Sequence, residues 1–65
     1  MIRSVIRCPN DMVMVFDEKG EQIPEYQGLY PKVRERLIRE APPFTVFGCW
    51  QNYQTDIQTV SREQW

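Results

Sequence analysis

The sequence contains no histidine, and its two cysteines, Cys8 and Cys49, stand far apart. Without histidine the chain lacks the commonest general base and a frequent metal ligand. A structural zinc site needs four nitrogen or sulfur ligands, which two isolated cysteines of one chain do not supply. Glycine-rich phosphate loops and G-x-S-x-G elbows are also missing. We therefore expect a protein that is not an enzyme and that has no catalytic residues, no metal and no cofactor.

Long apolar segments are missing as well. The longest apolar run, "MVMVF" at Met12–Phe16, has five residues, whereas a membrane span needs about 20. The start, "MIRSVIRCPND", lacks the apolar stretch of a signal peptide. These features predict a cytoplasmic protein without a membrane partner, in a compartment where thiols stay reduced.

The chain is nearly neutral and short. A net charge of −1 gives no reason to expect a nucleic-acid partner, and 42% hydrophobic with 26% charged residues is typical of a folded chain. We interpret residues 1–65 as a single small domain. A chain of this length buries only about 60% of the surface that its unfolded form exposes. Oligomerisation is a common remedy for such marginal stability.

The first half of the sequence predicts a hairpin. Its strongest strand is "DMVMVFD", rich in valine. The loop "DEKG" follows, in which Gly20 can adopt the left-handed conformation that closes a hairpin with a bulge. "EQIPEYQ" is the predicted return strand, at a sheet edge because Pro24 cannot donate a ladder hydrogen bond. Val5 to Cys8 form a possible short strand that stops at Pro9.

The second half predicts one helix and two strands. Residues 30–41 place Tyr30, Val33, Leu37, Ile38 and Ala41 on one helical face. "FTVFGCW", residues 44–50, is the third predicted strand, "QNYQTD" a loop and "IQTVS" the fourth strand. "SREQW" has the capping-box spacing that begins a helical turn.

Together these elements predict a small α+β domain with the pattern ββαββ. The predicted sheet is mainly antiparallel and four-stranded, with strand order 2-1-3-4 and the helix packed on one face. "MVMVF" then lies in the interior of the sheet. Met12, Met14 and Phe16 point to one face, and Val13 and Val15 point to the other.

One helix covers one face of such a sheet, so the second apolar face needs another cover. Two candidates remain open. Either residues 1–8 and the segment around Trp65 fold across this face, or a second copy of the chain packs against it in a symmetric dimer.

The leading functional prediction is a non-catalytic protein-interaction module that self-associates as a homodimer. Its contacts would come from the uncovered sheet face or from the aromatic residues near the C-terminus, because tryptophan and tyrosine are enriched at binding hot spots. The predicted contact residues are Val13, Val15, Phe47, Trp50, Tyr53 and Trp65.

Two alternatives belong to other functional classes. The basic face of the helix over residues 30–41 carries groups suited to phosphate contacts in a small nucleic-acid-binding accessory protein, namely Lys32, Arg34, Arg36 and Arg39. Arg34 falls inside the apolar arc, where it either extends to the rim or pairs with an acid. The other alternative is an enzyme with Cys8 or Cys49 as its nucleophile, although it would lack a histidine base.

Overall fold

A mixed five-stranded sheet carries one helix on one face, which confirms the small α+β class. The computed structural model describes residues 1–53 and 56–65. The sheet order is β3-β2-β1-β4-β5. In chain order the elements are β1 (Ile2–Arg7), β2 (Met12–Asp17), a 3-10 turn (Pro24–Tyr26), β3 (Gly28–Leu29), α1 (Tyr30–Glu40), β4 (Val46–Cys49) and β5 (Gln58–Val60).

The central strand is β1, which corrects the predicted order 2-1-3-4. β1 runs antiparallel to β2 and parallel to β4, with Val5 opposite both Val15 and Phe47. The predicted direct pairing of "MVMVF" with "FTVFGCW" is therefore wrong. In this central place Val5 is fully buried, and the exposed Arg3 donates to Phe44 O at 3.1 Å.

The two hairpin turns, after β1 and after β2, have the same pattern of backbone hydrogen bonds. Cys8 N donates to Met12 O at 2.8 Å and Asp11 N donates to Cys8 O at 2.9 Å. Around the second turn, Asp17 N donates to Glu21 O and Gly20 N donates to Asp17 O. Each turn ends on a residue of positive φ, Asp11 at 67° and Gly20 at 82°. This is the three-residue loop with a bulge, and the prediction for Gly20 is confirmed.

The predicted return strand over residues 21–27 is wrong in its extent. Phe16 and Gln22 form an isolated bridge, and the chain then turns through the 3-10 segment before the two-residue β3. Pro24 has no N–H to offer, so regular pairing stops there. The Gln27 side chain fills part of the gap, because its Oε1 accepts the N–H of Val15 at 3.1 Å.

The helix forms as predicted, over Tyr30–Glu40. Pro31 occupies its first turn, where a missing N–H costs little. Tyr30 N donates to Asp11 O at 2.8 Å, so the first hairpin turn fixes the start of the helix. Within the described residues no helix is long and apolar enough to cross a bilayer.

The core lies between α1 and one face of the sheet. Val13 and Val15 are 1% and 0% exposed and belong to the same cluster as Leu37. Trp65 adds to this cluster from a turn in which the amides of Gln64 and Trp65 both donate to Ser61 O. The predicted helical turn at "SREQW" is therefore present. β5 confirms the fourth predicted strand, and the predicted loop before it includes residues 54 and 55, outside the described residues.

Neither predicted internal cover lies across the second face of the sheet. The N-terminal residues form β1 within the sheet, and Trp65 packs against Tyr30 and Phe47 on the face that α1 covers. The helix and the Trp65 turn thus share one face. They leave the face opposite to Val13 and Val15 as the candidate for contact with another molecule.

Candidate functional site

The sheet face away from α1 carries two rows of uncharged residues. Register pairs place Met14, Ile6, Gly48 and Thr59 side by side across β2, β1, β4 and β5. A second row consists of Phe16, Ser4 and Val46. Paired residues project to the same face, and these alternate with the buried residues of the core. The rows therefore form a continuous surface without a charged side chain.

Gly48 makes room for Ile57 on this surface. A Cβ added at Gly48 would lie 2.8 Å from Ile57 Cγ2 and 4.0 Å from Ile6 Cγ1. The side chain of Ile57 therefore lies directly over the glycine and beside β1, although it is 45% exposed. Glycine at this position therefore has a packing reason, since a larger residue would displace Ile57.

We use the name open face for the apolar residues of this surface. Val46 is 41% and Met12 39% exposed, and Met14, Phe16 and Ile6 are half-buried by their neighbours. Single exposed apolar residues are ordinary, but a contiguous group on a flat sheet is typical of a contact surface. The open face comprises Ile6, Met12, Met14, Phe16, Val46 and Ile57.

The structure places the six predicted contact residues in two different regions. The core under α1 contains Val13, Val15, Phe47 and Trp65. Trp50 is half-buried and Tyr53 is 58% exposed, and their rings meet edge to face with centroids 4.8 Å apart. The helix thus covers the valine side of "MVMVF", and the methionine side is the open one.

Arg34 reaches the rim of the core, as predicted, and joins α1 to the Trp65 turn. Its Nε donates to Tyr30 Oη at 3.0 Å, and its second guanidinium nitrogen donates to Glu63 O at 3.4 Å. The Tyr30 hydroxyl in turn donates to the backbone oxygen of Trp65. Arg34 therefore has a structural role in holding the turn that carries Trp65.

Two of the other predicted phosphate-binding groups lie close to the carboxylate of Glu40. Arg36 lies 3.2 Å from Glu40 and stacks at 4.2 Å over the Tyr26 ring, and Arg39 lies 3.6 Å from Glu40. The pKa of Glu40 is held below its usual range, first by the hydrogen bond that Tyr26 donates and then by Arg36. Lys32 is exposed on the same helix. The nucleic-acid alternative stays a prediction, with much of its positive charge neutralised locally.

A cavity of about 290 Å³ opens at the carboxyl ends of β1 and β4. These two strands are parallel neighbours, but the chain leaves β1 toward β2 and leaves β4 toward β5. Loops that diverge in this way open a crevice between neighbouring parallel strands, a preferred place for ligands. Its lining consists of Arg7, Cys8, Pro9, Asp11, Cys49, Trp50 and Gln51.

Arg7 is held at the edge of this cavity by two contacts. Its guanidinium lies 3.6 Å from the centre of the Tyr30 ring and 2.7 Å from Asp11 Oδ1. Asp11 has the left-handed conformation that aspartate tolerates better than most residues. One residue therefore closes the hairpin, accepts the first helical N–H and orients Arg7.

The two cysteines are free thiols in different environments. Cys8 is 7% exposed, and burial raises the pKa of its thiol. Cys49 is half-buried and packs against the core. A raised pKa lowers the thiolate fraction at neutral pH and with it nucleophilic reactivity. The cysteine-enzyme alternative stays a prediction.

The acidic side chains of the hairpins serve as turn residues. Asp17 Oδ1 accepts the N–H groups of Lys19 and Glu21 at 2.9 Å each. These bonds, that of Glu21 first, hold the pKa of Asp17 below its usual range. Among residues 1–53 and 56–65, no three histidine, cysteine, aspartate or glutamate side chains are placed to hold a metal ion.

The full length of β1, and with it the place of Ile6 on the open face, was not predicted from the sequence. The signal was "CPND", because proline is favoured at the second position of a tight turn and Asp at positions of positive φ. With that turn assigned, "IRSVIR" pairs with "MVMVF" as a hairpin. Nothing in the local pattern placed Ile57 over Gly48, since that contact joins β4 to the segment before β5.

Comparison of the chain with protein-family models, curated proteins and solved structures finds no match. Functional inference therefore rests on the geometry of the chain itself.

Proposed function

We propose that the protein is a non-catalytic interaction module that self-associates as a homodimer through its open face. The observation that carries this proposal is a continuous uncharged surface on the sheet face opposite to α1 and the Trp65 turn, made of Ile6, Met12, Met14, Phe16, Val46 and Ile57. Burial of such a surface releases water from apolar groups, which is the main driving force of association.

A second copy is the occupant because an uncharged face meets its own copy without repulsion. In a two-fold dimer each residue faces a symmetry-related residue, so a charged face would bring like charges together. The rows of the open face consist of apolar side chains with Ser4, Thr59 and Gly48. Two such sheets can pack about 10 Å apart, with their side chains interdigitated.

The expected dimer is weak. The five strands have six, six, two, four and three residues. At a rise of about 3.3 Å per residue and a spacing of about 4.8 Å, they give a face of roughly 330 Å² in projection. A standard interface buries about 800 Å² per partner. We therefore expect a dimer that dissociates on dilution, rather than an obligate one.

Sedimentation equilibrium over a hundredfold range of concentration tests this proposal. The wild-type protein should shift from monomer to dimer, and Val46→Glu should remain a monomer because it places two like charges at the interface. Val46 is exposed in the single chain, so the substitution should leave the fold intact. The matched control is Lys32→Gln, which changes the net charge by the same amount on the exposed side of α1.

Control and wild-type protein should show the same dissociation constant. A monomeric wild-type protein at the highest concentration would refute the homodimer. A Val46→Glu protein that dimerises as the wild type does would refute the open face as its interface.

A further inference from the structure

Both methionines of β2 lie on the open face. The chain has three methionines, and apart from Met1 they are Met12 and Met14. Met14 is in register with Ile6 of β1, and Met12 is in register with Leu29 of β3. Met12 is 39% exposed and Met14 is half-buried, so water reaches both side chains in the single chain.

Methionine differs from the other residues of the open face because mild oxidants change its polarity. Its thioether is apolar and flexible, which suits close contact between two sheets. Oxidation converts it into methionine sulfoxide, which is polar and disrupts methionine-rich interfaces. The remaining side chains of the open face are hydrocarbons, which a peroxide leaves unchanged, namely Ile6, Phe16, Val46 and Ile57.

We propose that Met12 and Met14 form a modification site, at which oxidation by hydrogen peroxide dissociates the dimer. This inference rests on the proposed homodimer through the open face. In the reaction an electron pair of the sulfur attacks one peroxide oxygen, an S–O bond forms and the O–O bond breaks. The sulfur loses two electrons to the peroxide, and the second oxygen leaves as water with both protons.

The sulfoxide oxygens weaken the dimer because association removes them from water. Burying a polar group without a hydrogen-bond partner costs free energy. The two-fold symmetry of the dimer repeats this cost, since each methionine occurs once in each copy. Oxidation of both methionines should therefore raise the dissociation constant at least about tenfold, which corresponds to about 1.4 kcal/mol.

Met1 provides an internal control for exposure. It is 67% exposed and lines a second cavity with Tyr26 of the 3-10 turn and Glu40 of α1, away from the open face. Peroxide should oxidise Met1 at the same rate at every protein concentration. Met12 and Met14 should be oxidised more slowly above the dissociation constant than below it, because the dimer shields them.

Sedimentation equilibrium of the chain before and after peroxide treatment tests the site, with the oxidised methionines identified by mass spectrometry of peptides. The matched control is the double variant Met12→Leu/Met14→Leu, which keeps the volume and the apolar character of the face. It also keeps Met1 and both cysteines, so an effect of peroxide on those residues would appear in it. This variant should form the same dimer before and after treatment.

Two further measurements support the test. Methionine sulfoxide reductases of both stereospecificities, supplied with a thiol reductant, should restore the dimer of the oxidised wild-type protein. Met12→Gln, which places a polar amide at an exposed position, should dimerise more weakly than Met12→Leu without any oxidant. Circular dichroism should show the same fold in the oxidised and untreated chains.

An untreated wild-type dimer whose dissociation constant is unchanged by oxidation of both methionines would overturn this inference and leave the homodimer intact. Loss of the fold on oxidation would overturn it too, as would an equal loss of dimer in the double leucine variant. A monomeric untreated wild-type protein would refute the homodimer itself, and this inference with it.

Discussion

At the scale of single residues, Trp65 connects three parts of the fold. Its ring meets Tyr30 and Phe47 edge to face, with centroids 5.2 and 5.0 Å away, and its indole N–H donates to Gly48 O at 2.9 Å. The side chain is 2% exposed. One residue thus joins the start of α1 to β4 within the core.

Trp65→Phe should lower the free energy of unfolding. The substitution keeps an aromatic ring but removes the indole N–H that donates to Gly48 O, a hydrogen bond worth about 0.5–1.5 kcal/mol, and it also leaves a small cavity. Urea denaturation measures the change. The control Tyr53→Phe, at a residue 58% exposed, should stay within about 0.5 kcal/mol of wild type. Equal stability of the two variants would contradict the role of the indole N–H.

Asp17 should contribute to acid sensitivity. Its pKa in the folded chain is lowered by the N–H groups of Glu21 and Lys19, whereas the unfolded value is about 3.9. Because the folded pKa is the lower one, the stabilisation is complete above the unfolded pKa and disappears as pH falls through the folded pKa.

Asp17→Asn keeps an oxygen for the two N–H groups but removes the titration. The free energy of unfolding of this variant, measured by urea at a series of pH values, should fall less steeply below about pH 4 than that of wild type. Glu18 and Glu40, whose pKa values are also lowered, leave a residual slope. Parallel curves for variant and wild type would show that Asp17 does not contribute.

At the scale of elements, the two hairpin turns have the same backbone conformation but use different residues for it. Both need positive φ at the last turn position, which Gly20 meets without strain and Asp11 meets at some cost. Two hydrogen bonds of Asp11 offset this cost. Its side chain accepts from Arg7, and its carbonyl accepts the Tyr30 N–H. The first turn therefore positions the helix and the cavity, while the second only reverses the chain.

Gly20→Ala isolates the backbone contribution of the second turn. No heavy atom lies within 4 Å of a Cβ added at Gly20 beyond its chain neighbours, so crowding does not contribute. A left-handed conformation costs an ordinary residue about 1–2 kcal/mol, which is the expected loss in the free energy of unfolding. Gly20→Asn should lose less, because asparagine tolerates this conformation. If the two variants lose equally, positive φ is not the cause.

At the scale of the whole molecule, the sheet has apolar residues on both faces, but the helix and the Trp65 turn cover one of them. The proposed self-association follows from this difference. The helix and the Trp65 turn bury Val13, Val15 and Phe47, and the same strands present Met14 and Val46 on the other side. An apolar sheet face without a second layer is typical of a surface that contacts another molecule. Sedimentation equilibrium of the wild-type and Val46→Glu proteins, described above, tests this explanation.

Much of the architecture was predictable because it depends on local patterns. The helix followed from the spacing of Tyr30, Val33 and Leu37, and the second hairpin turn followed from Gly20. The alternation in "MVMVF" correctly separated valines from methionines, but it gave no information on which side the helix would cover. That choice depends on β1, whose insertion beside β2 sets the crossover of α1.

The sequence by itself determined the α+β class, the helix bounds and the left-handed turn at Gly20, because each depends on residues close together in the chain. Only the tertiary structure decided that β1 is central, that Trp65 packs on the sheet face covered by α1, and that Ile57 lies over Gly48. It also brought Cys8 and Cys49 to one cavity. The physical reason is that strand neighbours are chosen by the burial of whole faces, which no short stretch of sequence encodes.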